Sequence, residues 1–189
     1  MHMRERRAED AEALALAGCA PINLPFRDRQ YRPIREPLSL RDVDEELSHS
    51  VEAVSVLYAP ASVGSGHPDH RLVRELALSA AARGIGVHLY ADVPYAVRFG
   101  WPHWVTGLPE DPRLVVDVYW QHLAREVPGV GSVRNARVVR LTEEQAARKL
   151  AAMRMYRTQF PALDAGPIGM LSNPLIHGFE VFWEVVATP

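Results

Sequence analysis

Two histidines and an aspartate lie within four positions of one another, at His67, Asp69 and His70. They follow an apolar, strand-like stretch (53–59) and precede an amphipathic stretch with helical composition. Open α/β sheets present their ligand sites at the carboxyl ends of strands. One imidazole is suited to bind a metal, the other to stabilise an oxyanion, and Asp69 to orient either ring. The alternative is a proline-containing turn whose polar side chains cap the next helix.

The elements that must position these residues alternate between strand and helix. The pattern predicts helices over 4–17, 40–49, 69–83, 114–126 and 142–157, and strands over 51–59, 86–90 and 136–141. Residues 21–26 are a weaker candidate for a short strand or an extended segment, because Pro25 cannot donate to a ladder. This alternation predicts an α/β fold with a mainly parallel sheet, in a single domain over residues 1–189.

Composition narrows the class of partner. A net charge of -2 gives no reason to expect a nucleic acid or an anionic membrane surface as a partner. No apolar run approaches the roughly 20 residues of a membrane span. The single Cys19 suits a reducing compartment, and the charged start does not resemble a signal peptide. We therefore expect a soluble, cytoplasmic protein.

Residues 63–73, which contain both histidines, resemble the second characteristic motif of the PIG-L/LmbE-like N-deacetylases. These are zinc-dependent enzymes that remove acyl groups from amino sugars and related amines. Other segments resemble those of the family in the same order along most of the chain. They are residues 6–10, 28–32, 90–96, 156–159 and 178–183. Several matches in order are more specific than any one of them. Ala91 stands where the family usually has an acidic residue.

The resemblance implies a Rossmann-like sheet flanked by helices and a role for each residue of the motif. His70 is the implied zinc ligand, and His67 stabilises the tetrahedral oxyanion or protonates the leaving amine. Asp69 holds an imidazole in its working tautomer. The implied reaction is attack of a zinc-bound water on an amide carbonyl, because the metal lowers the pKa of that water.

The family's first motif, of the Ala-His-Pro-Asp-Asp type, has no counterpart among the eight histidines of this chain. In the family it follows the first strand and supplies two metal ligands and the general base. The resemblance therefore implies a chain that is N-terminally truncated, lacks the first β-α unit and has an incomplete zinc site. A start placed too late or a fragment is the favoured explanation. The others are a decayed copy and a partner that completes the sheet, and an open sheet edge also suits a homo-oligomer.

The proline-rich stretch 91–112 contains the remaining candidates and is long enough to form a lid or pocket wall. Asp92 and Tyr95 are expected to line the pocket, or else to cap a turn and pack. Trp101 and Trp104 are candidates for a sugar-stacking wall, with a hydrophobic loop anchor as the alternative.

Together these features predict a metal-dependent N-deacetylase that acts on a small-molecule substrate, an N-acetylated amino sugar or glycoside. The alternative is a non-catalytic remnant that serves as a sugar-binding or interaction domain.

Overall fold

A computed structural model describes residues 2–33, 38–51, 54–64, 66–165 and 169–185. Its helices are α1 (His2–Ala15), α2 (Leu40–Val51), α3 (Pro68–Ala82), α4 (His103–Thr106), α5 (Val116–Glu126), α6 (Glu143–Met155), α7 (Phe160–Leu163) and α8 (Pro174–His177). Its strands are β1 (Val56–Pro60), β2 (Gly86–Tyr90), β3 (Ala136–Arg140) and β4 (Phe179–Val185). Short 3-10 helices cover Arg29–Tyr31 and Val133–Asn135.

The four strands form one sheet in the order β1-β2-β4-β3. Strands β1 and β2 are parallel, with Val56 opposite Gly86 and Pro60 opposite Tyr90. Helix α3 joins them, as a parallel connection requires. Strand β4 is antiparallel to β2. The sheet is therefore mixed, and the prediction of a mainly parallel, Rossmann-like sheet is not confirmed, whereas the α/β class is.

Two compact units divide the chain, one formed by residues 27–138 and 181–189 and the other by residues 1–26 and 139–180. In the first unit, α3 packs on β1 and β2. The helix contributes small residues, with Ala77 and Ala80 almost fully buried, and β2 contributes Val87 and Leu89. Small side chains let the helix lie close to the strands, so this layer holds α3 against the sheet.

The first unit also contains a cluster of three indole rings. Trp120 of α5 is fully buried and donates its indole N–H to the carbonyl of Gly100 at 3.1 Å. Its ring stacks on Trp101 at 5.4 Å between ring centroids and meets Trp104 edge-on at 6.1 Å. The cluster fastens the proline-rich stretch to α5.

In the second unit, α1 packs against α6. Glu9 of α1 is only 3% exposed, and its carboxylate accepts hydrogen bonds from the backbone N–H and the hydroxyl of Thr158. Tyr156 donates its hydroxyl to Asp10, and burial together with that bond raises the pKa of Tyr156. The expected capping box of Thr142 and Gln145 opens α6. Polar pairs therefore join α1 to the segment that directly follows α6.

Two strand predictions differ from the structure. Residues 21–26, predicted as a strand or an extended segment, form no strand, since two prolines, Pro21 and Pro25, cannot donate to a ladder. Strand β1 begins at Val56 and not at residue 51, because α2 continues to Val51. Among the described residues, no helix is both long and apolar enough to span a membrane.

Truncation of Trp120 tests the indole cluster. We expect Trp120→Ala to lower the free energy of unfolding by about 3–5 kcal/mol, because it removes a fully buried indole and leaves a cavity. Val118→Ala on the same helix is the control, since Val118 is 59% exposed and its truncation is expected to cost less than about 0.5 kcal/mol. Urea unfolding followed by far-ultraviolet circular dichroism measures both, and equal midpoints would contradict the packing described.

Candidate functional site

The candidate site lies at the edge of the sheet where β1 and β2 both end. Because the strands are parallel, their carboxyl ends lie side by side, with Pro60 opposite Tyr90. The backbone N–H of Ala61 donates to the carbonyl of Tyr90 at 2.7 Å, which continues the pairing by one residue. The two loops that follow therefore start next to each other. One leads to α3 and the other is the proline-rich stretch.

His67 is the N-cap of α3, directly before Pro68. Its Nδ1 atom accepts a hydrogen bond from the backbone N–H of Asp69 at 3.3 Å. A neutral imidazole that accepts at Nδ1 carries its proton on Nε2. The Nε2 atom lies 3.7 Å from a carboxylate oxygen of Asp28. His67 therefore has its tautomer set by the helix and its Nε2 face directed towards a negative charge.

Asp69 joins the start of α3 to the chain 40 residues earlier. One carboxylate oxygen accepts from the backbone N–H of Arg29 at 2.8 Å, and the other forms a salt bridge with Arg32. The sequence predicts that Asp69 orients an imidazole. In the structure its backbone N–H binds His67, while its carboxylate anchors the turn at residues 29–32.

His70 forms a short polar contact with the loop that follows β2. Its Nδ1 atom lies 2.7 Å from a carboxylate oxygen of Asp92, which is only 3% exposed. An ionised carboxylate accepts only, so this bond places the His70 proton on Nδ1 and leaves the lone pair on Nε2. The other carboxylate oxygen of Asp92 has no hydrogen-bond partner among the described residues. An imidazole held in this way is typical of a metal ligand.

Tyr95 completes the group. Its ring meets His70 edge-on at 5.3 Å between centroids and lies 6.3 Å from the ring of His67. Burial raises the pKa of the Tyr95 hydroxyl, and the charges of Asp28 and Asp92 raise it further. The hydroxyl therefore keeps its proton at neutral pH and can donate a hydrogen bond to a ligand.

The structure brings together five of the seven residues that the sequence singles out. It places the two others, Trp101 and Trp104, in the indole cluster with Trp120, where Trp101 is 8% exposed. Their contact with a substrate stays a prediction. Sequence reasoning did not select Asp28 as a site residue. Its position within the similar stretch 28–32 was the available signal.

Asp28, His67 and Asp69 offer ligand atoms within 4.8 Å of one another, as a bound metal ion requires. The two nitrogens of His67 face different carboxylates, however, and Asp69 is already held by Arg32. No group of three donor residues in the described parts of the chain includes His70. A catalytic zinc takes three protein ligands. The described residues therefore do not fit a complete zinc site around His70.

Comparison with known proteins shows which solved structures share the fold of this chain. No family model matches the chain, and no curated protein matches it in sequence. Among solved structures, the zinc-inhibited form of teicoplanin deacetylase Orf2 matches with a TM-score of 0.66 and 23% identity, over 97% of this chain and 74% of that one. The A40926 pseudoaglycone deacetylase Dbv21 matches with a TM-score of 0.63 and 26% identity, over 98% and 72%.

A third solved structure matches the chain to a similar extent. The complex of a deacetylase with bog, from teicoplanin biosynthesis, matches with a TM-score of 0.67 and 24% identity, over 97% of this chain and 73% of that one. Matches of this extent show that the chain shares the fold of these antibiotic deacetylases.

The tautomer of His70 can be tested directly. We expect long-range proton–nitrogen NMR spectra at about pH 8, where a free histidine is neutral, to show His70 with its proton on Nδ1. Asp92→Asn should move a measurable fraction of that proton to Nε2, because an amide can also donate to Nδ1. His122, an exposed residue of α5, is the internal control. A His70 spectrum unchanged by the substitution would contradict the assignment.

Proposed function

We propose that this chain carries the substrate-binding and proton-transfer part of a metal-dependent N-deacetylase site, which acts on an N-acetylated amino sugar or glycoside. The observation that carries the proposal is the hydrogen bond of His70 to the buried Asp92, beside His67, in a fold shared with antibiotic deacetylases. The family resemblance of residues 63–73 supports it from the sequence.

Zinc is the metal that the resemblance implies, and His70 is the residue proposed to contact it. Because the described residues do not complete that site, the chemistry argued next uses only side chains of the chain itself. The cytoplasmic location and the small-molecule sugar substrate are likewise proposals that rest on the sequence.

His67 is proposed to act on the amine. Hydrolysis of an amide adds water to the carbonyl, breaks the C–N bond and leaves an amine that must take up a proton. The carboxylates of Asp28 and Asp69 lie 3.7 and 3.8 Å from the two nitrogens of His67. The Nε2–H of His67 is suited to hydrogen-bond the oxyanion, and proton transfer to the leaving nitrogen is the further role that the family resemblance implies for it.

Tyr95 is proposed to orient the substrate. Its protonated hydroxyl lies on a ring that contacts both imidazoles, so a donor stands beside both proposed reaction partners. Since Tyr95 is 38% exposed, a ligand can reach it from solvent.

A second function, sugar binding without turnover, is favoured by one observation: no donor group of the described residues contains His70 and two further ligands. The two functions make different demands on His67. Turnover requires this residue to transfer a proton, whereas sugar binding requires only that its side chain fits the sugar and forms hydrogen bonds with it.

Zinc titration tests the role of His70. We expect the chain to bind zinc weakly, since one histidine with water cannot equal three protein ligands. His70→Ala should abolish this binding, and Asp92→Asn should weaken it by about 10–100-fold through loss of the supporting hydrogen bond. His122→Ala is the matched control. Tight stoichiometric zinc, or an equal loss in the control, would show that the ligand is wrongly assigned.

Acetate release from N-acetylglucosamine and its glycosides, measured with zinc present, tests the reaction. We expect His67→Ala to lower kcat by about 10²–10⁴-fold, as for loss of a general acid, while zinc binding is unchanged. His122→Ala should keep full activity. Sugar binding by the unmodified chain with no acetate released would favour the non-catalytic function. Equal loss of zinc in His67→Ala and His70→Ala would mean that the two roles are not divided as proposed.

A further inference from the structure

A cavity of about 360 Å³, open to solvent, lies on the surface beside the C-terminal half of α5 and the turn that precedes β3. It is lined by Gln121, Arg125, Gly131, Ser132, Val133 and Arg134. None of these residues belongs to the site formed by His67, His70 and their partners. The cavity therefore has no part in the function proposed above.

The lining is positively charged and contains no carboxylate, although the chain has 23 acidic residues. Arg125 and Arg134 each contribute a guanidinium, and neither forms an ion pair with a carboxylate of the described residues. Glu126, the acidic neighbour of Arg125 in sequence, instead pairs with His122 at 3.2 Å. Within the part of the chain that the structure describes, no carboxylate therefore pairs with either positive charge of the cavity.

The polar side chains of the lining can supply several hydrogen-bond donors. Gln121 and Arg125 are four residues apart on α5 and so lie on the same face of the helix. The hydroxyl oxygen of Ser132 accepts from the backbone N–H of Arg134 at 3.1 Å, which leaves the hydroxyl hydrogen available to a ligand. Two guanidiniums, an amide and a hydroxyl together favour a ligand with several acceptor oxygens and a negative charge.

We propose that this cavity binds the phosphate group of a small molecule. Arginine is the side chain best matched to phosphate, because its planar fork donates two parallel hydrogen bonds to an oxyanion. The volume is at the lower end of the range for small-molecule sites, which suits a sugar phosphate or a nucleoside monophosphate. Free phosphate and a phosphate monoester both present phosphate oxygens. The experiment must therefore distinguish binding of the free ion from binding of the monoester.

Calorimetric titration at low salt with inorganic phosphate, glucose 6-phosphate and adenosine monophosphate tests the proposal. We expect saturable binding of at least one probe with one site per chain, and weaker binding as sodium chloride is added. Arg125→Gln and Arg134→Gln should each raise Kd by about tenfold or more, as for the loss of a hydrogen bond between charged groups. Glucose, which lacks the phosphate, should not bind at this cavity.

Arg113→Gln is the matched control. Arg113 is highly exposed and paired with Asp111, and its substitution changes the net charge by the same amount. Thermal unfolding checks that all three variants fold. A tighter Kd for a monoester than for phosphate identifies the small molecule as the ligand, and equal values identify the free ion. Absence of saturable binding, or a Kd that rises equally in Arg113→Gln, would overturn the proposal.

Discussion

The parallel register of β1 and β2 is the constraint on which the site depends. Pairing of Pro60 with Tyr90, extended by the bond from Ala61 to Tyr90, makes the two loops leave the sheet at adjacent points. His70 lies in the first turn of the helix reached by one loop, and Asp92 lies two residues into the other. A slip of one residue would turn every side chain of a strand to the opposite face. Buried Val87 and Leu89 of β2 oppose such a slip.

The start of α3 is held in place by a second constraint, the charge of Asp69. A carboxylate in the first turn of a helix is stabilised by the N-terminal end of the helix dipole. Asp69 also accepts from the N–H of Arg29 and pairs with Arg32, so a segment distant in sequence is tied to this helix. The same tie brings Asp28 to within 3.7 Å of His67. Asp69, which the sequence predicts to orient an imidazole ring, therefore also ties residues 28–32 to the candidate site.

The sequence predicted most of the local structure because local signals specify it. The capping box at Thr142, the glycine after α3 and the apolar β2 all act over a few residues, and each of these elements is found. The candidate site residues were selected from the short segment 67–70 and from the loop after β2, and their roles stay predictions. Proximity of Asp28 to His67, and the antiparallel β4 beside β2, depend on contacts between distant segments. No periodicity within one sequence reports such contacts, so these features required the structure.

The two histidines of one short motif have opposite tautomers, and this difference divides their chemistry. At His67 a backbone N–H donates to Nδ1, so the proton of the neutral ring lies on Nε2, between the ring and Asp28. At His70 a buried carboxylate accepts from Nδ1, so Nε2 presents a lone pair. A ring that offers a proton and a ring that offers a lone pair cannot exchange roles without changing their partners. The environment of each ring therefore supports the roles proposed for them, proton transfer for His67 and ligand binding for His70, although in sequence they differ by only three positions.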